Sequence, residues 1–230
     1  MSKIGEFEKK IIEQGMEDED FEEYAKLLKR VQGDFLKRQH CYITAIQFPP
    51  KFAEQAIQLI YYGLQNFEDG WFSTYTSYLY IGQIYETIGN YQKAYDSYLL
   101  AKDTLGEDHI GYLNELSKDL LWMRLHIDSF CYSRELEEYY SNYEKANEFS
   151  KAFVNNEFRI TIASIVILLH YGKNDEAKQL FQSVIEMCNP NFTGRLHKKL
   201  MKHHYNESLK LTPEVNEFLK DVKDIFNVVP

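Results

Sequence analysis

The sequence predicts an all-α protein built from helical hairpins. Its apolar residues recur mostly at three- and four-residue intervals, the spacing that places them on one face of a helix. Only 5 prolines and 11 glycines interrupt the 230 residues, and runs of alternating β-branched residues are almost absent. With 18 tyrosines and 15 phenylalanines, the chain has enough aromatic side chains to fill the core of one helical domain.

The first part of the chain predicts a capping helix followed by a hairpin. Residues 3–14 form a short amphipathic helix. A hairpin is expected over approximately 21–66, and its first half is either one long helix or two helices joined near Gly33. Pro49 ends that half, because proline cannot donate a helical hydrogen bond and disfavours a helical residue before it.

The stretch 75–106 has the clearest hairpin pattern. Apolar and aromatic residues follow the helical period on both sides of a central Gly-Asn pair. Gly89 can adopt the left-handed conformation that ends the first helix, and the Asn90 side chain can cap the second. Gly82 and Ala94 are small where two antiparallel helices must approach closely.

This stretch resembles a tetratricopeptide repeat (TPR). Its large, small and aromatic residues stand where that family places them: Tyr78, Ile81, Gly82, Tyr85, Gly89, Tyr91, Ala94, Tyr98 and Ala101. The likeness is specific over about 34 residues and weaker elsewhere. It implies an α–α superhelix of about four helical hairpins with terminal capping helices, because one hairpin cannot bury both of its faces alone.

Two further hairpins are expected over approximately 110–149 and 157–188. In the second of these, a glycine, an alanine and an aromatic residue repeat the central hairpin at an offset of 83 residues: Gly172, Ala177 and Phe181 correspond to Gly89, Ala94 and Tyr98. In the first, glutamates are expected to face water: Glu135, Glu137, Glu138, Glu144 and Glu148. Helices over 193–210 and 213–226, the latter with Thr212 as N-cap, close the predicted single domain.

Charge and composition exclude several classes of protein. A formal charge of −9 disfavours nucleic-acid binding, because a phosphate backbone favours a basic surface. The charged opening residues lack an apolar segment, and the longest apolar run, 160–169, is too short to span a bilayer. We therefore expect a cytoplasmic protein without a membrane segment. Cys41, Cys131 and Cys188 are widely separated and predict free buried thiols rather than disulfides or a zinc site.

No motif in the sequence indicates catalysis, a cofactor or a metal. Phosphate-binding glycine loops and nucleophile motifs are absent. His197, His203 and His204 form the densest histidine group, and His203 with Glu207 has a helical spacing that metal sites use. Nearby lysines would repel a cation, so we predict a basic helix there and no metal. The protein is interpreted as a non-enzyme.

The TPR resemblance implies a binding groove. In TPR-like stacks the first helix of each hairpin lines a concave surface, and its positions correspond here to Arg38, Thr76, Leu79, Gln83, Glu86, Leu121, Arg124, Asp128, Arg159 and Ile162. Three are arginines, whose planar donor fork suits the carboxylates of an acidic peptide or a free C-terminus. The alternative is that these arginines pair with Glu86 and Asp128 of the protein itself.

The function expected from the sequence is a non-enzymatic cytosolic adaptor or regulator that binds a protein or peptide in this groove. One alternative is an immunity-type or inhibitor protein that neutralises a toxin or enzyme by covering it with an acidic face. A second alternative is an intracellular sensor of a small signalling peptide. The sequence does not distinguish among these three classes.

Overall fold

The fold was analysed in a computed structural model, which describes residues 2–68, 70–128, 133–145, 154–187, 206, 208, 210–211 and 213–221. These residues contain α-helices and one 3₁₀ turn, Pro50–Phe52, but no β-strand. The helices are α1 (Lys3–Gln14), α2 (Asp18–Leu28), α3 (Asp34–Ala45), α4 (Ala53–Asn66), α5 (Trp71–Thr87), α6 (Tyr91–Asp103), α7 (Ile110–Ile127), α8 (Ser133–Lys145), α9 (Val154–His170), α10 (Asn174–Met187) and α11 (Pro213–Asp221).

The predicted all-α fold class is confirmed, while the superhelical arrangement of the hairpins stays a prediction. The chain divides into two compact units, Met1–His109 (unit 1) and Ile110–Pro230 (unit 2). Within the described ranges, every helix is too short or too polar to cross a membrane.

Several predictions concern residues outside those that the structure describes. They are residues 193–205 of the predicted helix over 193–210, with its three histidines, Cys131, Cys188, Glu148, Thr212 and residues 222–226, together with the side chain of Glu144.

Unit 1 begins with three helices whose ends follow from local sequence. Ser2 caps α1 by accepting the Gly5 N–H at 3.2 Å, and Glu17 with Asp20 forms a capping box at the start of α2. Gly33 has a φ of 79°, so the chain turns there and forms two helices, α2 and α3, rather than one.

A polar network joins these three helices through the carboxylate of Glu8. Its Oε1 accepts hydrogen bonds from the Tyr24 hydroxyl and from His40 Nδ1, each at 2.7 Å. Tyr24 is completely buried and stacks on Phe7, with the ring centroids 5.9 Å apart. Burial raises the pKa of Glu8, but the hydrogen bonds from His40 and Tyr24 outweigh it and hold that pKa below its ordinary value.

The hairpin of α5 and α6 is packed at its crossing without space for another carbon atom. A Cβ built on Gly82 would overlap the ring of Tyr98, which is completely buried. Ala94 and Ala101 on α6 are also completely buried. The Tyr98 hydroxyl donates to the Glu86 carboxylate at 2.9 Å. The predicted close approach at Gly82 and Ala94 is therefore confirmed.

The turn between α5 and α6 has the predicted caps. Gly89 has a φ of 75° and donates its N–H to the Glu86 carbonyl at 2.9 Å, while Asn90 N–H bonds the Tyr85 carbonyl at 2.9 Å. These two bonds form a Schellman motif. The Asn90 side chain then accepts the Lys93 N–H at 3.3 Å at the start of α6.

The hairpin of α9 and α10 in unit 2 repeats this turn. Gly172 has a φ of 71° and bonds the Leu169 carbonyl at 2.9 Å, and Lys173 N–H bonds the Leu168 carbonyl at 2.8 Å. Ala177 and Phe181 of α10 are completely buried, like the corresponding Ala94 and Tyr98 of α6. The correspondence predicted at an offset of 83 residues thus extends to the capping hydrogen bonds.

In unit 2, α7 is buried on more than one face: Asn114, Leu116, Ser117, Lys118, Leu120, Leu121, Trp122, Met123 and Leu125. α7 contacts α8 and α9, and α9 contacts α10 and α11. Phe181 of α10 and Phe218 of α11 meet edge to face, with their ring centroids 6.0 Å apart. α11 is therefore held to the α9–α10 hairpin by aromatic packing.

Gly82→Ala should destabilise the protein by about 1 to 3 kcal/mol, because the new methyl group overlaps the completely buried Tyr98 ring, whose hydroxyl is bonded to Glu86. Urea unfolding followed by circular dichroism measures the change. Gly106→Ala is the control, since its Cβ would meet only His109 Nδ1 at an ordinary 3.7 Å. Equal stability of the two variants would contradict the proposed crossing.

The Glu8 network should make the stability of the protein depend on pH in the acidic range. A depressed folded-state pKa adds stability that is present above the unfolded pKa of about 4.3 and is lost as pH falls through the folded value. Wild type should therefore lose more stability between pH 5 and pH 3 than Glu8→Gln does. Glu13→Gln, at an exposed position of α1, should keep the wild-type dependence. The measurement is the free energy of unfolding in urea at each pH. Parallel plots of this free energy against pH for wild type and Glu8→Gln would refute this assignment.

Candidate functional site

The groove positions predicted from the sequence fall equally in the two units. Unit 1 contains Arg38, Thr76, Leu79, Gln83 and Glu86, and unit 2 contains Leu121, Arg124, Asp128, Arg159 and Ile162. Their burial and contacts divide them into arginines that bind neighbouring helices, buried packing residues, and a few positions that remain accessible.

Arg38 connects α3 to the start of α5. One terminal nitrogen donates to Ser73 Oγ at 3.1 Å and Thr74 Oγ1 at 2.8 Å, and the other donates to the Phe67 carbonyl. Only 5% of the residue is exposed. Its Nε atom has no hydrogen-bond partner in the described part of the chain. The side chain therefore acts within unit 1 and does not offer its donor fork to a partner.

Arg124 connects α7 to α8. Its Nε donates to Glu135 Oε1 at 3.2 Å, and Glu135 is only 6% exposed. The expectation that Glu135 faces water was wrong. The guanidinium compensates its buried charge, which allows the carboxylate to leave solvent.

Arg159 connects α9 to α7. Its Nη1 donates to Asp119 Oδ1 at 2.6 Å, and the guanidinium lies 5.6 Å from the centroid of the Trp122 ring. Pairing of the predicted arginines within the protein was the alternative reading of the sequence. The acids that pair with Arg124 and Arg159 here are Glu135 and Asp119.

The other predicted positions differ in their accessibility. Thr76, Leu121 and Ile162 are buried, and Thr76 Oγ1 donates to the Phe72 carbonyl at 2.7 Å within α5. Leu79 and Glu86 are half-buried, and Gln83 and Asp128 are exposed. Accessible predicted positions in unit 1 thus lie along α5.

Gln83 borders a cleft in unit 1 with a volume of about 200 Å³. The end of α3, the 3₁₀ turn with the start of α4, and the end of α5 surround it. Its walls are Ala45, Ile46, Phe48, Pro49, Pro50, Ala53, Ala56, Gln83, Ile84, Thr87 and Ile88. Ile46 and Ile88 are 40% and 41% exposed. We name this feature the apolar cleft, because its walls are apolar except for Gln83 and Thr87 and include no charged residue.

Local sequence explains the shape of the apolar cleft. α3 ends at Ala45, and the chain reverses through Pro49 and the 3₁₀ turn before α4 begins. Alanines at the ends of both helices leave space that larger side chains would fill. In the wall that α5 contributes, Ile88 follows the last helical residue, Thr87, and directly precedes the left-handed turn at Gly89.

The formal charge of the protein is concentrated in unit 1. Residues 1–109 contain eleven Lys and Arg against eighteen Asp and Glu, a net charge of −7, whereas residues 110–230 account for only −2. α3 and α5 both end at the apolar cleft, and neither has a basic residue in its last turn. Helix C-termini carry partial negative charge, which favours cations near the ends of these two helices. Residues 1–23, which do not line the cleft, account for −6 of the charge of unit 1, with three lysines against nine Asp and Glu.

The described residues include no group of three or more His, Cys, Asp or Glu side chains that could hold a metal ion. Cys41 is a buried free thiol, as the sequence predicted. Burial raises its pKa to about 12, so the thiol stays protonated and unreactive at neutral pH.

Comparison with known proteins gave no match among family models, curated proteins or solved structures. The likeness to TPR proteins therefore depends on the residues of the central hairpin. Sequence reasoning identified Gln83 but missed the remaining walls of the apolar cleft. The available signal was the Pro49-Pro50 pair, with Ala45 four residues before it and Ala53 three residues after it.

Arg124→Met should destabilise the protein by on the order of 1 to 3 kcal/mol, because it removes a charged hydrogen-bond donor from the buried Glu135 carboxylate. Urea unfolding measures the loss. Arg124→Met combined with Glu135→Met should recover much of it, since the buried carboxylate is then also removed. Arg30→Met, at an exposed arginine, is the control. An Arg124→Met variant as stable as wild type would contradict a structural role for this pair.

Proposed function

We propose that the protein is a non-enzymatic adaptor or regulator that binds a protein or peptide through TPR-like hairpins. The observation that carries the proposal is the apolar cleft of unit 1, where Ile46 and Ile88 expose apolar surface around a concave, uncharged space. Apolar concave surfaces of this kind commonly bind protein partners.

Two features support a repeat protein. The α5–α6 and α9–α10 hairpins share the same Schellman turn at a left-handed glycine. They also share a completely buried alanine and aromatic residue on the second helix. Hairpins of one design are the units from which helical repeat proteins are assembled.

In this proposal the binding surface follows α5, the first helix of the central hairpin. Gln83 lies at the apolar cleft, and Leu79 and Glu86 lie one turn to either side. The three arginines of the predicted groove stabilise their own units and are not part of the proposed surface. We place the protein in the cytoplasm, where the free thiol of Cys41 suits a reducing compartment.

The acidic character of unit 1 favours one second candidate, an immunity-type or inhibitor protein that covers the basic surface of a toxin or enzyme. Such a partner would be recognised over a standard interface of about 1,200 to 2,000 Å². A short peptide that fills the apolar cleft would then compete poorly. An adaptor that binds a linear segment would release its partner when the peptide is added.

Ile88→Glu should reduce partner binding at least about tenfold, because it places a charge in the wall that an apolar group must contact. The measurement is quantitative affinity capture from the native host, followed by titration of the recovered partner with purified protein. Leu100→Glu is the matched control, at an α6 position with 43% exposure that does not line the cleft. Partners that bind all three proteins equally would refute the proposed function.

A further inference from the structure

We infer that unit 2 contains a second binding site, which takes a free basic amino acid through its carboxylate and its cationic groups. The site is a cavity with a volume of about 360 Å³ between α9, α10 and α11. Three observations support the inference: opposite charges on two helices, an apolar floor, and the size and net charge of the cavity. The residues that line it all belong to unit 2: Leu169, Asn174, Lys178, Glu217, Phe218 and Asp221.

Opposite charges face this cavity from different helices. Lys178 belongs to α10, whereas Glu217 and Asp221 lie four residues apart on α11 and therefore on one face of that helix. All three are exposed, and none of them forms an ion pair in the part of the chain that the structure describes. By contrast, Lys173 and Glu176 of the same hairpin pair at 3.1 Å. The three charges around the cavity are therefore available to bind opposite charges of a ligand.

The floor of the cavity is apolar and is held in place by packing. Phe218 is only 6% exposed, and its ring meets that of Phe181 edge to face. Leu169, in the last turn of α9, is half-buried. An aliphatic chain that lies on this floor removes apolar surface from water, while its charged ends reach the walls.

The size and charge of the cavity define the class of ligand. A volume of about 360 Å³ is near the lower end of the roughly 300–1,000 Å³ typical of small-molecule sites, which suits a molecule as small as an amino acid. One lysine against two carboxylates gives the walls a net charge of −1. A free basic amino acid has one carboxylate and two cationic groups at neutral pH. Each charge of such a ligand therefore has one opposite charge in the cavity.

The first test titrates the full chain with free lysine at neutral pH and follows amide chemical shifts by nuclear magnetic resonance. Lysine should bind with a Kd below about 1 mM. Cadaverine, which is lysine without its carboxylate, and hexanoate, which is lysine without its amines, should bind at least about fivefold more weakly. Absence of lysine binding up to about 10 mM, or equal Kd values for the three compounds, would overturn the inference.

The second test assigns the carboxylate of the ligand to Lys178. Lys178→Met should weaken lysine binding at least about fivefold without weakening cadaverine binding, because cadaverine has no carboxylate to lose its partner. Asp221→Asn should weaken the binding of both compounds. Lys220→Met, the same substitution at an exposed position of α11 outside the cavity, is the control and should leave both Kd values unchanged.

The pattern across the two ligands separates binding from a structural role. If Lys178→Met weakened lysine and cadaverine alike, or if Lys220→Met reproduced its effect, the inference would be overturned. Because the substituted residues are exposed, urea unfolding should give nearly wild-type stability for each variant. These outcomes are distinct from those for the proposed function, since the apolar cleft belongs to unit 1 and is unchanged in all three variants.

Discussion

The contact between Gly82 and Tyr98 determines how closely α5 and α6 approach, and the rest of unit 1 depends on it. The ring fills the space that any side chain at position 82 would need. Its hydroxyl then holds Glu86, one turn further along α5. Together these contacts fix the end of α5, which forms one wall of the apolar cleft. The apolar cleft therefore derives part of its shape from a packing constraint between α5 and α6.

Features that depend on neighbouring residues could be predicted from the sequence. The left-handed turn at Gly89, the cap by Asn90 and the repeat of this turn at Gly172 follow from local rules of helix termination. The roles of Arg124 and Arg159 could not be predicted, because their carboxylates belong to other helices and their pairing depends on how those helices pack.

The apolar cleft was harder to predict, because it results from small side chains at the ends of helices. A sequence pattern shows which residues are apolar. It does not show where the packing of several helices leaves a cleft between them. Gln83 was identified through its place on the first helix of a hairpin. Ile46 and Ile88 were missed because an isolated apolar residue at a helix end has the same pattern whether it is covered or exposed.

Arg38 has a consequence for the order in which the protein is built. Its guanidinium bonds Ser73 and Thr74, which follow it by 35 and 36 residues, with the whole of α4 between them. A nascent chain that ends before residue 74 cannot bury this cation with its native acceptors. The first hairpin can therefore bury Arg38 against these acceptors only once the start of the second hairpin has left the ribosome.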